Sequence, residues 1–230
     1  MNLLALDTSS QACSVALQLG DAVLARHEEL PREHTRLLVP MIRSVLQESG
    51  AQLSELDAIV LGNGPGSFIG VRIAASVAQG LAYGAGLKIV PVSSMAAIAV
   101  RVLADSDCSA VVVAQDARMN EVYLGIYKRG DANLPIDMVP ERLHDTGPIA
   151  ELDVLAGDVR AAGVGWQRYP ELLAANRDSI GRMEEFLLPR AVDLLASGAA
   201  AFRAGEIIEP QHVMPAYLRH KVAEKPKAAS

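Results

Sequence analysis

The feature that most constrains this chain is a glycine-dense turn. Gly62-Asn63-Gly64-Pro65-Gly66-Ser67 stands between a short apolar strand pattern, Asp57–Leu61, and a long helical pattern from about Ile69 to Gly84. A strand that passes through such a turn into a helix is half of an α/β unit, in which helices cover a sheet. The helix carries small side chains on one face, Ala74, Ala75, Ala78, Ala82 and Ala85, so it can lie close to a neighbour. The same economy holds elsewhere: half of the 230 residues are apolar, yet only 4% are aromatic. A core of Ala, Val and Leu is implied, and with 21% charged residues intrinsic disorder is excluded.

The formal charge is −6. Proteins that hold nucleic acid by themselves carry a basic footprint, so RNA contact is expected only through a complex. The local exception is Arg219, His220, Lys221, Lys225 and Lys227 near the C-terminus, read as a solvated, flexible end. The uncharged stretch Ile73–Leu87 is shorter than the ~18–20 apolar residues of a membrane span. The opening MNLLALDTSS has no basic region before Asp7, so no signal peptide is expected. Cys13 and Cys108 lie far apart without CxxC spacing, which suits a reduced, cytoplasmic protein without a disulfide framework.

Along the chain, Asn2–Leu6, Ala12–Leu19 and Ala22–Glu28 read as strands of a meander. A helix follows from near His34, with Leu37, Leu38, Met41, Ile42, Val45 and Leu46 at helical spacing and Ser49-Gly50 at its end. Pro40 inside it predicts a late start or a kink. Lys88–Val90 is a strand, and Ser93-Ser94 cap a helix to Leu103. After a polar break at Ala104–Ser109 the strand-first order begins again with Ala110–Ala114, Glu121–Tyr127 and Ile136–Leu143; Val154–Ala156 is short and apolar and ends in Gly157-Asp158. A final helix spans about Arg190–Phe202. Two α/β lobes are expected, residues 1–105 and 106–230, with the final helix and tail free to pack back on the first.

Four strings could carry chemistry. The glycine turn could hold an anion on helix N-terminal amides, but neither the P-loop pattern nor G-x-G-x-x-G fits any register of it. A tight turn needing positive φ is the plainer reading. Asp7-Thr8-Ser9-Ser10 could hold metal and phosphate at a strand end, or cap a turn. His34 has Leu38, not a second histidine, four residues on, so a metal pair is not completed. Asp116-Ala117-Arg118 reads as a hairpin with a surface ion pair. No Ser/His/Asp or Cys/His set emerges, so no catalytic residue is assigned.

Taken together, LALDTSS (4–10), HTRLLVPMI (34–42), GNGPGSFIGVRIA (62–74), VPVSSM (90–95), DARMNEVYLGIY (116–127) and MPAYLR (214–219) resemble the bacterial TsaB (YeaZ) family of tRNA threonylcarbamoyladenosine biosynthesis proteins. The resemblance runs to about residue 220. It implies the actin-like ATPase (ASKHA, ribonuclease H-like) fold with a shortened second lobe. It also implies a non-catalytic partner that is a homodimer alone and a heterodimer with its paralogue TsaD. A small ATPase, TsaE, joins the assembly, and tRNA is met only through the complex. The family attributes its contacts to the first-lobe helices, here Leu37, Leu38, Met41, Val45, Val71, Ala74, Ala78 and Leu81, so Ala78→Glu should weaken association. TsaD's His-x-x-x-His metal pair reads His34-Thr35-Arg36-Leu37-Leu38 here, so no metal is expected. Asp7, Ser9, Ser10, Gly64, Gly66 and Ser67 would then be a vestigial nucleotide cleft with weak or no ATP or ADP binding. The alternative is an ATP-dependent phosphotransferase or ATPase of the same fold, in which Asp7 orients metal or water.

Overall fold

The computed structural model describes residues 1–185 and 188–219. A first sheet holds β1 (Asn2–Asp7), β2 (Cys13–Leu19), β3 (Ala22–Glu28), β4 (Ala58–Gly62) and β5 (Lys88–Val92) in the order β3-β2-β1-β4-β5. The hairpin pairs are antiparallel, and β1-β4 and β4-β5 are parallel. The second sheet holds β6 (Ala110–Arg118), β7 (Glu121–Arg129), β8 (Pro135–His144), β9 (Val159–Ala162) and β10 (Arg182–Met183) in the order β10-β9-β6-β7-β8. Counted within each lobe, both orders are third, second, first, fourth, fifth, with the same parallel and antiparallel pairs. This is the repeated sheet of the actin-like, ribonuclease H-like fold. The second copy is shortened, its last two strands having only 4 and 2 residues.

Helices α1 (His34–Ser49) and α2 (Gly70–Ala85) cover one face of the first sheet. Between the sheets lie α3 (Ser94–Ala104) and, against the first sheet, α6 (Ala191–Ala204). Short helices α4 (Val164–Arg168) and α5 (Pro170–Ala175) close the far face of the second sheet around Trp166. Ser93 is the cap of α3, its hydroxyl accepting from the amides of Met95 and Ala96 at 3.0 and 3.2 Å. Among the described residues no helix is long and apolar enough to cross a membrane.

Several expectations are corrected. α1 begins at His34 despite Pro40, so the late start does not occur. The short apolar stretch at Val154–Ala156 holds the last residue of a 3-10 turn, Ala150–Val154, and the link from it toward β9, which starts at Val159. Leu38, Met41, Val45, Val71, Ala74 and Ala78 are all buried in the monomer. Their apolar stripes face the sheet and one another, so in the monomer these side chains belong to the core. Leu37 and Leu81 are half-buried against the same core. The basic residues from His220 onward, expected to form a flexible end, lie outside the described residues. Arg219 is bound rather than solvated, in an ion pair with Glu121.

Candidate functional site

The first-lobe strings converge where β1 and β4 end side by side. Asp7 closes β1 and is buried. Its Oδ1 accepts from the Ser9 amide at 2.9 Å and the Ser9 hydroxyl at 2.8 Å. Its Oδ2 accepts from the Ser94 hydroxyl at 2.5 Å, and that hydroxyl in turn accepts from the Gly64 amide at 3.2 Å. Burial pushes the Asp7 carboxyl above the usual carboxylate range, and these hydrogen bonds offset part of the rise. Asp7 thus ties the β1–β2 turn to the glycine turn and to the start of α3.

The glycines serve close approach, not positive φ: none from Gly62 to Gly70 has a left-handed backbone. A Cβ on Gly70 would lie 1.9 Å from the Thr8 carbonyl oxygen, and one on Gly66 would lie 2.2 Å from that of Ser9. The Ser67 amide donates to the Ser9 carbonyl at 2.6 Å, and the Thr8 hydroxyl donates to the Gly70 carbonyl at 2.7 Å. At the start of α2, the Gly70 amide donates to the Ser67 hydroxyl at 3.3 Å and the Val71 amide to the Ser67 carbonyl at 2.9 Å. The amides of Gly64, Ser67, Gly70 and Val71 are therefore engaged within the chain. So are both oxygens of Asp7, which does not line the adjoining cavity.

That cavity, about 700 Å³, lies between the lobes. Ser9, Ser10, Gly66 and Ser67 line its first-lobe wall, while Gly64 is packed against α3 instead. Asp116 and Arg118 face them from the β6–β7 hairpin. Asp116 is more than a surface ion pair: it pairs with Arg118 at 3.1 Å and also accepts from the Tyr169 hydroxyl at 2.8 Å. The sequence reading missed Phe68, Met119 and Tyr217 on this rim, because isolated exposed apolar residues in turns have no period. His34 is a buried link, its Nε2 2.9 Å from the Ser10 carbonyl oxygen.

Cys13 is fully buried and its thiol is pushed up to about 12, first by burial and then by Asp7 and Glu28. A thiol protonated at pH 8 is a poor nucleophile, and Cys108 is buried too. Ellman's reagent at pH 8 should therefore leave both cysteines unmodified in the native protein and titrate both in guanidinium. Rapid native reaction at Cys13 would contradict this placement.

On the outside of α2 a second small-residue stripe runs opposite the alanines: Ser76, Gly80 and Gly84 are exposed, beside Tyr83 at 78% exposure. A Cβ on Gly80 or Gly84 would meet nothing within 4 Å. Val39 on α1 is also exposed.

A family model described as TsaD, tRNA N6-adenosine threonylcarbamoyltransferase, matches residues 26–226. The chain is 38% identical to the tRNA threonylcarbamoyladenosine biosynthesis protein TsaB of Escherichia coli (strain K12), over 98% of this chain and 97% of that protein. It is 34% identical to the protein of the same name from Haemophilus influenzae, over 98% and 96%. Its structure is similar to that of YeaZ from Pseudomonas aeruginosa, with a TM-score of 0.85 at 38% identity, covering 94% of this chain and 99% of that one. Two repeated sheets, a glycine turn closed on the β1–β2 turn, and near-full-length identity to these relatives place this chain in the TsaB (YeaZ) family.

Proposed function

We propose that this chain acts in tRNA threonylcarbamoyladenosine biosynthesis as a non-catalytic, cytoplasmic partner that binds and activates TsaD. TsaD itself transfers threonylcarbamoyl to the adenosine beside the tRNA anticodon. The observation that carries this reading is the outward face of α2. A glycine in a helix interior, such as Gly80, costs about 1 kcal/mol relative to alanine, and here nothing in the monomer needs the missing side chain of Gly80 or of Gly84 in the last turn. A partner helix lying close along Ser76, Gly80 and Gly84, with Tyr83, Val39 and the half-buried Leu37 and Leu81 around it, accounts for them. The chain forms a homodimer alone, and TsaE joins the heterodimer with TsaD. The sealed Asp7 supports weak or no nucleotide binding. The −6 charge supports tRNA contact only through the complex.

The test is reconstitution: this chain, TsaD, tRNA and threonylcarbamoyl-adenylate, each protein alone and together, with TsaE and ATP in a parallel series. Modification that needs TsaD and rises with this chain is expected. Absence of a complex, with Mg·ATP turnover by this chain alone, would favour the phosphotransferase reading.

Asp7→Asn separates the two readings further. The folded Asp7 carboxyl binds its proton more tightly than the unfolded chain does. Its stabilising contribution is therefore complete below the unfolded carboxylate range and is lost as pH rises through the raised folded value. Asparagine carries no charge to bury, so the variant should gain on the wild type in melting temperature as pH rises from 4 to 8, and should activate TsaD normally. Loss of activation by a folded Asp7→Asn chain would count against a purely structural Asp7.

A further inference from the structure

Beyond α6 the chain doubles back over both lobes. Ile208 pairs with Ile89 through two backbone hydrogen bonds, and the Gln79 amide donates to the Pro210 carbonyl at 2.8 Å. The Asn63 side chain then grips the backbone of this segment twice, donating to the Met214 carbonyl at 3.0 Å and accepting from the Ala216 amide at 3.1 Å. Arg72 donates to the Tyr217 hydroxyl at 2.7 Å while its guanidinium lies 3.5 Å over the Phe68 ring. All of these anchors are in the first lobe.

The next residues cross to the second. Leu218 packs against the cluster that joins α3 to the second sheet. Arg219 reaches the β6–β7 turn at four points: the carbonyls of Ala117 and Arg118 at 2.9 and 3.4 Å, the Met119 sulfur at 3.4 Å and the Glu121 carboxylate at 2.5 Å. That turn is strained. Arg118, Met119 and Asn120 are successive left-handed residues with φ of 63°, 56° and 60°, a conformation that crowds a Cβ against the following carbonyl oxygen. Such a turn persists where its surroundings over-determine it, and Arg219 is the side chain that reaches across it from the other lobe's strap.

We propose that residues 205–219 form a clasp that fixes the angle between the lobes and holds the β6–β7 turn at the mouth of the cleft, with Arg219 as the closing, positioning residue. At the floor of the cleft α3 already joins the two sheets; the clasp is a second tie on the flank. Two ties at different places suppress the hinge motion on which two-lobed folds rely when they close on a ligand. The proposal uses contacts within one chain, so it stands or falls independently of the partner role.

A clasp opens whichever end is released. Asn63→Ala frees the strap only in the first lobe: among the described residues Asn63 bonds to Met214, Ala216 and the Val92 carbonyl, not to the β6–β7 turn. Hydrogen–deuterium exchange on the full-length chain should show amides of residues 115–122 exchanging at least tenfold faster in both Asn63→Ala and Arg219→Ala. Amides of β1 and β4 should be unchanged, and the radius of gyration by small-angle scattering should rise. Tyr217→Phe, which removes only the hydroxyl contact to Arg72, is the milder variant with the same readout should Asn63→Ala not fold. Acceleration confined to residues 214–216 in Asn63→Ala would reduce the strap to separate local attachments and overturn the clasp. Uniform acceleration across both lobes, or an unchanged radius of gyration, would overturn it as well.

Discussion

Gly70→Ala should destabilise this protein by about 3 kcal/mol, at the upper end of the usual cost of overpacking. The new methyl would lie 1.9 Å from the Thr8 carbonyl oxygen. That oxygen belongs to backbone, not to a flexible side chain, and the Thr8 hydroxyl holds the Gly70 carbonyl from the other direction. Relief therefore requires the β1–β2 turn and the start of α2 to part, which strains the contacts of Ser9 and Asp7 as well. For a chain of this size the melting temperature should fall by roughly 6–12 °C. Gly80→Ala is the matched control. It places the same methyl in open space on an exposed helix turn, where alanine is favoured by about 1 kcal/mol, so the melting temperature should rise by roughly 2–4 °C. Thermal melts of the two variants decide the matter. Equal effects would mean that the glycine turn is not held by close backbone approach.

The contrast marks how far the sequence could be read. Glycine density at 62–70 announced a special turn, but a string of residues does not distinguish a glycine needed for φ from one needed for space. The atoms that make the space necessary belong to Thr8 and Ser9, more than fifty positions away. The same limit governs α2. Ala74, Ala78 and Ala82 form one small stripe, and Ser76, Gly80 and Gly84 form another, two residues out of phase and so about 200° around the helix. Periodicity presents both and does not say which meets the sheet. The long elements were legible because each has a period and an end signal: the meander alternates, and α3 has its serine cap. The region from Asp145 to Ile180 was not, because α4, α5 and β9 span only 5, 6 and 4 residues, too few for a period to show. The C-terminal strap was opaque for a different reason. Its anchors at Asn63, Arg72 and Glu121 are tertiary, and its own residues have neither helical nor strand rhythm.

Which face of α2 meets a partner is decided by one pair of variants. Gly80→Leu puts a bulky side chain on the exposed stripe, where the monomer has room for it. The folded chain should keep or slightly raise its melting temperature, leucine being a better helix former than glycine, while a closely approaching partner helix loses the groove it needs. A loss of about 2 kcal/mol, roughly 30-fold in Kd, is expected for both self-association and TsaD binding. Ala78→Glu acts on the opposite face. Ala78 has no exposure and sits in the cluster formed with Leu4, Leu38 and Ile59. A carboxylate there is buried without a partner, a defect of several kcal/mol, so the expected result is loss of the folded chain rather than selective loss of binding. Sedimentation velocity for self-association, and titration into TsaD with circular dichroism as the folding control, read both outcomes. A folded Ala78→Glu chain that fails to associate would return the interface to the alanine stripe. A Gly80→Leu chain that binds normally would remove the glycine stripe from it and leave the two open glycines without a partner to explain them.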